Sequence, residues 1–268
     1  MNGGTKDNLA RLGSAGRIWA IAAVHGEAER LRRLHDRIAQ RFDDSDRIVY
    51  LGNYLGHGGA VAATIDEMLN FRRRVLARRR GFACDIVYLR GAQEEMWHKL
   101  LQLQFAGNPG EVLAWMVREG VEPTVRAYGG DLRHGFAATR DGPLTITRWT
   151  TTLRNAMNAA PGHTTLLGRL RHAAMTDNGQ VLFVHAGVAA DKPLTAQGDA
   201  FWWGDRDLIE LTEPFAGFRR VVRGFDRQQR GVVEREFAVS LDAGAGRGGP
   251  LLAAAIAPDG AVLEVVQG

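Results

Sequence analysis

The chain has 268 residues and a formal charge of +4 from 34 basic and 30 acidic side chains, and all but three of the basic ones (Lys6, Lys99 and Lys192) are arginine. A hydrophobic content of 45% with 24% charged residues excludes intrinsic disorder, collagen-like repeats and a disulfide scaffold. The single Cys84 leaves no internal disulfide and no cysteine-based zinc finger, so any metal would be held by the eight histidines and by carboxylates.

Residues 1–16 are polar and lack the apolar core of an export signal, so they read as a flexible lead-in to a cytoplasmic domain spanning 17–268. The first apolar run, 18–24, is far shorter than the roughly 20 residues that cross a membrane. From 17 to 91 strand, turn and helix alternate: 18–24 is apolar, 27–40 carries Leu31, Leu34 and Ile38 at helical spacing, and 47–51 is apolar again. A second helix over 61–80 presents Ile65, Met68, Leu69, Val75 and Leu76, and a third strand follows over 84–89. This alternation predicts βαβ units and a largely parallel sheet. Gly26, Gly52 and Gly91 each fall just past a strand's carboxyl end, where α/β proteins place ligand-binding loops.

Residues 95–171 show helical periodicity (Leu100, Leu101, Leu103; Val112, Leu113, Met116, Val117) with breaks at Pro109, Pro123 and Pro161, which predicts a helical insertion over one edge of the site. Short apolar runs return at 181–184, 219–222, 237–241, 251–256 and 261–266. The Pro258-Asp259-Gly260 turn makes the last two a β-hairpin. The expected architecture is α/β, with two mixed sheets packed together and flanked by helices in one domain.

Some features have bland readings beside sharper ones. The arginines at 72–74 and 78–80 could contact nucleic acid or an acidic partner, or form a solvated helix face; the positive excess is small and spread out, so nucleic-acid binding is not inferred. Trp202 and Trp203 could form a partner surface or a lid, although adjacent side chains point in different directions and at least one is expected in the core. The glycines of 244–249 lack the Lys-Ser/Thr of a phosphate-binding loop. His163, Thr164 and Thr165 sit at a helix start, where hydroxyls cap free amides.

Five loop signatures follow in order: Ala22-Ala23-Val24-His25-Gly26, Gly52-Asn53-Tyr54-Leu55-Gly56-His57-Gly58, Arg90-Gly91-Ala92-Gln93-Glu94, Val184-His185-Ala186-Gly187 and Val222-Arg223-Gly224-Phe225. Together with the terminal segment Leu241-Asp242-Ala243-Gly244-Ala245-Gly246-Arg247-Gly248-Gly249-Pro250-Leu251, they resemble the motifs GDxHG, GDYVDRG, GNHE, HAG and GH of the calcineurin-like metallophosphoesterases, in the branch of serine/threonine protein phosphatases and diadenosine tetraphosphatases. The stretch Thr124-Val125-Arg126-Ala127-Tyr128-Gly129 resembles an insertion motif of bacterial members. The resemblance covers about residues 17–268.

The resemblance implies two divalent cations (Mn, Fe or Zn) that activate a bridging water against a phosphorus atom. Its ligand positions fall here on Ala23, His25, Asn53, Ala92, His185 and Phe225, so only the two histidines match and Asn53 replaces the bridging aspartate. The leaving-group acid falls on Gln93, its aspartate partner on Gly56, and the phosphate-gripping arginine on His57. The expectation is a pseudophosphatase with no metal at full occupancy and no confident catalytic residue, whose acid-stripped cleft would bind a phosphate ester or phosphoprotein through His57, Arg90, Gln93 and Arg223. His25, Asn53 and His185 would be a vestigial metal site, or His25 and His185 simply hydrogen-bonded loop residues. The alternative is an active phosphoesterase, acting on phosphoproteins or dinucleoside polyphosphates, with His25, Asn53, Glu94 and His185 as ligands.

Overall fold

The computed structural model describes residues 8–78, 82, 85–204 and 206–268. Cys84, Arg79 and Arg80, expected in the third strand and in the arginine cluster of the second helix, lie outside the described residues, as do residues 1–7 of the expected lead-in.

The chain opens with β1 (Leu9–Arg11), β2 (Ile18–Ile21), α1 (Ala28–Ala39), β3 (Arg47–Tyr50), α2 (Val61–Leu76) and β4 (Ile86–Tyr88). A helical stretch follows: α3 (Ala92–Leu100), α4 (Pro109–Arg118), α5 (Glu122–Ala127), α6 (Leu132–Asp141), α7 (Pro143–Ala159) and α8 (His163–Leu167). The remainder is β5 (Ala173–Met175), β6 (Val181–Val184), α9 (Ala200–Trp203), β7 (Arg220–Arg223), β8 (Val233–Glu234), β9 (Ala238–Ser240), β10 (Leu252–Ile256) and β11 (Val262–Gln267).

The strands form two mixed sheets, in the orders β11-β10-β2-β3-β4 and β1-β5-β6-β7-β9-β8. Side-chain alternation along each strand separates the layers. Ile18, Ala20, Val49 and Val87 of the first sheet meet Phe183, Val222 and Val239 of the second between the sheets. Trp19, Ile21, Ile48 and Tyr50 face the other way, into a core with Leu31, Leu34 and Ile38 of α1 and Ile65, Met68 and Phe71 of α2. Each buried Val, Leu or Ile contributes about 1.5–3 kcal/mol. The outer face of the second sheet packs Leu182, Val184 and Val221 against Phe201 and Trp202.

Two expectations are corrected. The lead-in over 1–16 is not wholly outside the domain, because Leu9–Arg11 pairs in parallel with Ala173–Met175; three residues carry too little periodicity to announce a strand. Thr164 and Thr165 do not cap α8: its N-cap is Gly162, with no side-chain cap bond, and the Thr164 hydroxyl donates to Asn158 Oδ1 at 2.7 Å. The terminal hairpin forms, with β10 and β11 antiparallel and the Gly260 N–H donating to Ala257 O at 2.9 Å. Trp202 is core, whereas Trp203 is half-buried and lies against Trp115, ring centres 5.7 Å apart. No described helix is long and apolar enough to cross a membrane.

Candidate functional site

Strands β2, β3 and β4 run parallel, as do β6 and β7, so the loops after them emerge at the carboxyl ends of their two sheets. Backbone bonds tie the loops together: the amides of Val24 and His25 both donate to Asn53 O, Ala23 N to Gly224 O, and Gly224 N and Phe225 N to His185 O. His25, Asn53 and His57 hold positive φ of 51°, 53° and 44°. Side chains other than glycine rarely adopt such angles, and strain of this kind gathers at binding sites.

His25 and His185 are buried, which favours their neutral forms. Burial first, then the nearby His57, His185 and Arg247, hold His25 well below its ordinary pKa. His185 Nδ1 donates to Leu51 O at 2.6 Å, and burial lowers the ring to about 4. Its Nε2 has no partner. The Phe225 ring stacks on His185 with centres 5.2 Å apart, and meets His25 edge-on at 6.0 Å. His57 lies 4.8 Å from His25, ring to ring. Burial and the Arg247 guanidinium, whose Nη2 is 3.0 Å from His57 Nε2, hold His57 down at about 4.

Asn53 Oδ1 accepts the Gln93 N–H at 2.9 Å, which leaves Nδ2 facing the His25 Nε2 lone pair at 3.3 Å. Gln93 Nε2 donates to Glu119 O at 2.6 Å, while its Oε1 is buried without a partner. Gly56, at φ +79°, leaves room for that amide, since a Cβ there would lie 2.3 Å from Gln93 Oε1. Gly56→Ala is therefore expected to lower stability by about 2 kcal/mol in urea unfolding. The helical stretch closes over these loops through Gly56 N, which donates to Thr124 Oγ1 at 2.9 Å, and His57 N, which donates to Gly120 O at 3.0 Å.

Glu94 is nearby but not available. Its Oε1 accepts the amides of Tyr54 (2.8 Å) and Leu55 (3.1 Å), and its Oε2 those of Asn53 (2.9 Å) and Gly91 (2.8 Å). Four donors fill the four lone-pair directions of a carboxylate.

His25, Asn53, His57, Gln93, His185 and Phe225 thus converge, with Ala23 and Ala92 contributing only methyl groups to the loops. Arg90 and Arg223 carry their own counter-charges: Arg90 Nη1 lies 3.0 Å from Glu95 Oε2, and Arg223 Nη2 lies 3.0 Å from Asp207 Oδ1 and 3.1 Å from Asp226 Oδ1. Asp207 and Arg247 escape sequence reasoning because their partners are distant in the chain, and Asp226 because its i,i+3 spacing to Arg223 carries no motif; Arg247 had a signal only as the one cation of the terminal glycine segment. Beside Phe225 opens a cleft of about 450 Å³ whose walls include Arg206, Asp207, Arg223 and Arg227. Among the described residues, no group of three or more His, Cys, Asp or Glu side chains is placed to hold a metal ion.

No protein-family model and no curated protein sequence matches the chain. Solved structures do match in fold. A protein named as a candidate diadenosine tetraphosphatase is similar at 21% identity and TM-score 0.57, over 97% of this chain and 98% of that one. A serine/threonine phosphatase from Saccharomyces cerevisiae matches at 11% identity and TM-score 0.51, over 94% and 77% of the two chains. A mutant cold-active protein tyrosine phosphatase matches at 13% identity and TM-score 0.53, over 98% and 85%. At these identities the likeness is one of fold.

Proposed function

We propose that this chain, which has the two-sheet fold of the calcineurin-like metallophosphoesterases, is a catalytically impaired member that binds a phosphate ester or phosphoprotein without hydrolysing it. The observation that carries the reading is Asn53, where a bridging carboxylate is needed: its amide is neutral and engaged by Gln93 N and His25. Two dications about 3.5–4 Å apart require anionic ligands to offset their repulsion. The donors present are two neutral imidazoles and one amide oxygen, Glu94 is held by four backbone amides, and Phe225 lies across both histidines. This set does not fit a dinuclear centre. Anion binding would rest on Arg247 beside His57 and on Arg206 and Arg227 of the adjoining cleft, since Arg90 and Arg223 are already paired.

One observation favours an active enzyme with an altered site. His185 presents an unpartnered Nε2 while Nδ1 is fixed by a carbonyl, the arrangement in which imidazole binds metals. Elemental analysis of protein purified from medium supplemented with Mn, Fe and Zn separates the two. Well under one metal per chain is expected, and two would overturn the proposal. So would Mn²⁺-dependent hydrolysis of p-nitrophenyl phosphate or diadenosine tetraphosphate that disappears in the His25→Ala, His185→Ala double variant. Calorimetry against phosphopeptides and nucleotides should reveal a ligand; binding no tighter than millimolar throughout would count against the binding role.

A further inference from the structure

We propose a second anion site, apart from the strand-end loops, in a cleft of about 550 Å³ where the outer strands β1 and β4 of the two sheets approach each other, shaped for a phosphate monoester with an aromatic or apolar body. None of the residues that converge at the loop site lines it. Its basic lining is Arg11, Arg72, Arg169 and Arg171, brought together from β1, α2 and the segment after α8, and no carboxylate stands among the described lining residues.

Other arginines find acids: Arg74 of α2 pairs with Asp36 at 3.1 Å, and Arg47 of β3 with Asp85 at 3.3 Å. Among the described residues, the side chains of Arg11, Arg72 and Arg169 have neither a hydrogen bond nor an ion pair. Arg171 is anchored through its backbone, whose N–H donates to Tyr88 O at 2.8 Å while its carbonyl accepts from Arg90 N at 2.7 Å. Several guanidinium groups facing one concavity repel one another until an anion lies between them, and their planar donor forks match phosphate oxygens.

An independent observation points to a ligand. Tyr88 lines the cleft and is 8% exposed, and its hydroxyl is buried with no hydrogen-bond partner. Buried hydroxyls are nearly always paired. Its ring is held in place by stacking on Tyr50, centres 4.9 Å apart. Burial keeps the phenol protonated, so it is a donor as well as an acceptor.

The rest of the wall is apolar: Leu69 of α2, Ile86 of β4 and Leu166 of α8. Gly162 preserves that wall, because at φ +85° it has no Cβ to press on Leu69 Cδ1, which would lie 2.8 Å away. Cationic donors, a recessed hydroxyl and an aliphatic wall together select an ester with a hydrophobic body over a bare anion. The cleft volume lies within the range of small-molecule pockets, which favours a small ester over a nucleic-acid strand or a peptide.

Calorimetry on the full chain with phenyl phosphate, adenosine monophosphate and inorganic phosphate tests this. Sub-millimolar binding of the two esters is expected, with inorganic phosphate weaker by about fivefold or more. Arg72→Ala combined with Arg169→Ala should weaken ester binding by about tenfold or more, and Tyr88→Phe by about threefold or more. In an Arg247→Ala background the double substitution should have the same effect within about twofold, because Arg247 belongs to the loop site. Equal thermal melting of the variants and parent checks that the fold is kept. Absence of ester binding, equal affinity for inorganic phosphate, or indifference to the double substitution would overturn the proposal. Binding that survives the double substitution and disappears with Arg247→Ala would assign the ester to the loop site, supporting that reading and overturning this one.

Discussion

Replacing Glu94 with alanine is expected to lower the folding stability of this protein by about 4–6 kcal/mol, measured as the shift in urea unfolding. The carboxylate stands in the first turn of α3 and gathers the amides of Asn53, Tyr54, Leu55 and Gly91 from two different loops. All four donors lose their partner when it is removed, and each buried amide left unpaired costs about 1–3 kcal/mol, less where water enters. A loss of this size is a large fraction of the stability of an ordinary domain, about 5–15 kcal/mol. Glu94→Gln should fall between parent and alanine variant, since one amide oxygen still accepts while the NH₂ group meets donors. A loss below about 1 kcal/mol for Glu94→Ala would show that the loops do not depend on this carboxylate.

Acidification between about pH 6.5 and pH 4 is expected to destabilise the fold well before most carboxylates titrate. Burial holds His185 at about 4 and keeps His25 well below its ordinary value. In the unfolded chain both take a proton near 6.5. Across this window the unfolded state therefore binds more protons, so stability rises with pH and is lost as pH falls from 6.5 toward 4. Below the folded values no further loss comes from these groups. His185 alone accounts for about 3 kcal/mol, as an order of magnitude. His57 adds in the same direction, but it is partly exposed and solvent screens its share. Depressed carboxylates such as Asp226, beside Arg230 and Arg223, act in a lower window, below their ordinary values. Urea midpoints at pH 7, 5.5 and 4.5 measure the effect, and His185→Gln should flatten the slope. A midpoint constant over that range would contradict neutral buried histidines.

The strand and helix pattern was legible because it is local: Leu31, Leu34 and Ile38 share one helix face whatever they pack against, and Pro258-Asp259-Gly260 closes its own turn. β1 was not, because Leu9–Arg11 becomes a strand only through Ala173–Met175. At the loops, the convergence of His25, Asn53, His57 and His185 followed from loop order. The pairing of Arg90 with Glu95 and of Arg223 with Asp207 and Asp226 did not, because loop order does not say which acids each guanidinium reaches.

By itself, then, the amino-acid order determined which side chains occupy the loop positions: alanine at 23 and 92, an amide at 53, phenylalanine at 225, histidine at 25 and 185. Those identities, and the absence of carboxylates they bring, hold in any conformation. Only the tertiary structure decided where the remaining charges point. Glu94 adjoins the site in sequence, yet its carboxylate is turned into the backbone of two loops. Arg11, Arg72 and Arg169 are far apart in the chain yet line one cleft. Hydrogen bonds and ion pairs act over a few ångströms, and only the packing of the two sheets brings such residues within that reach.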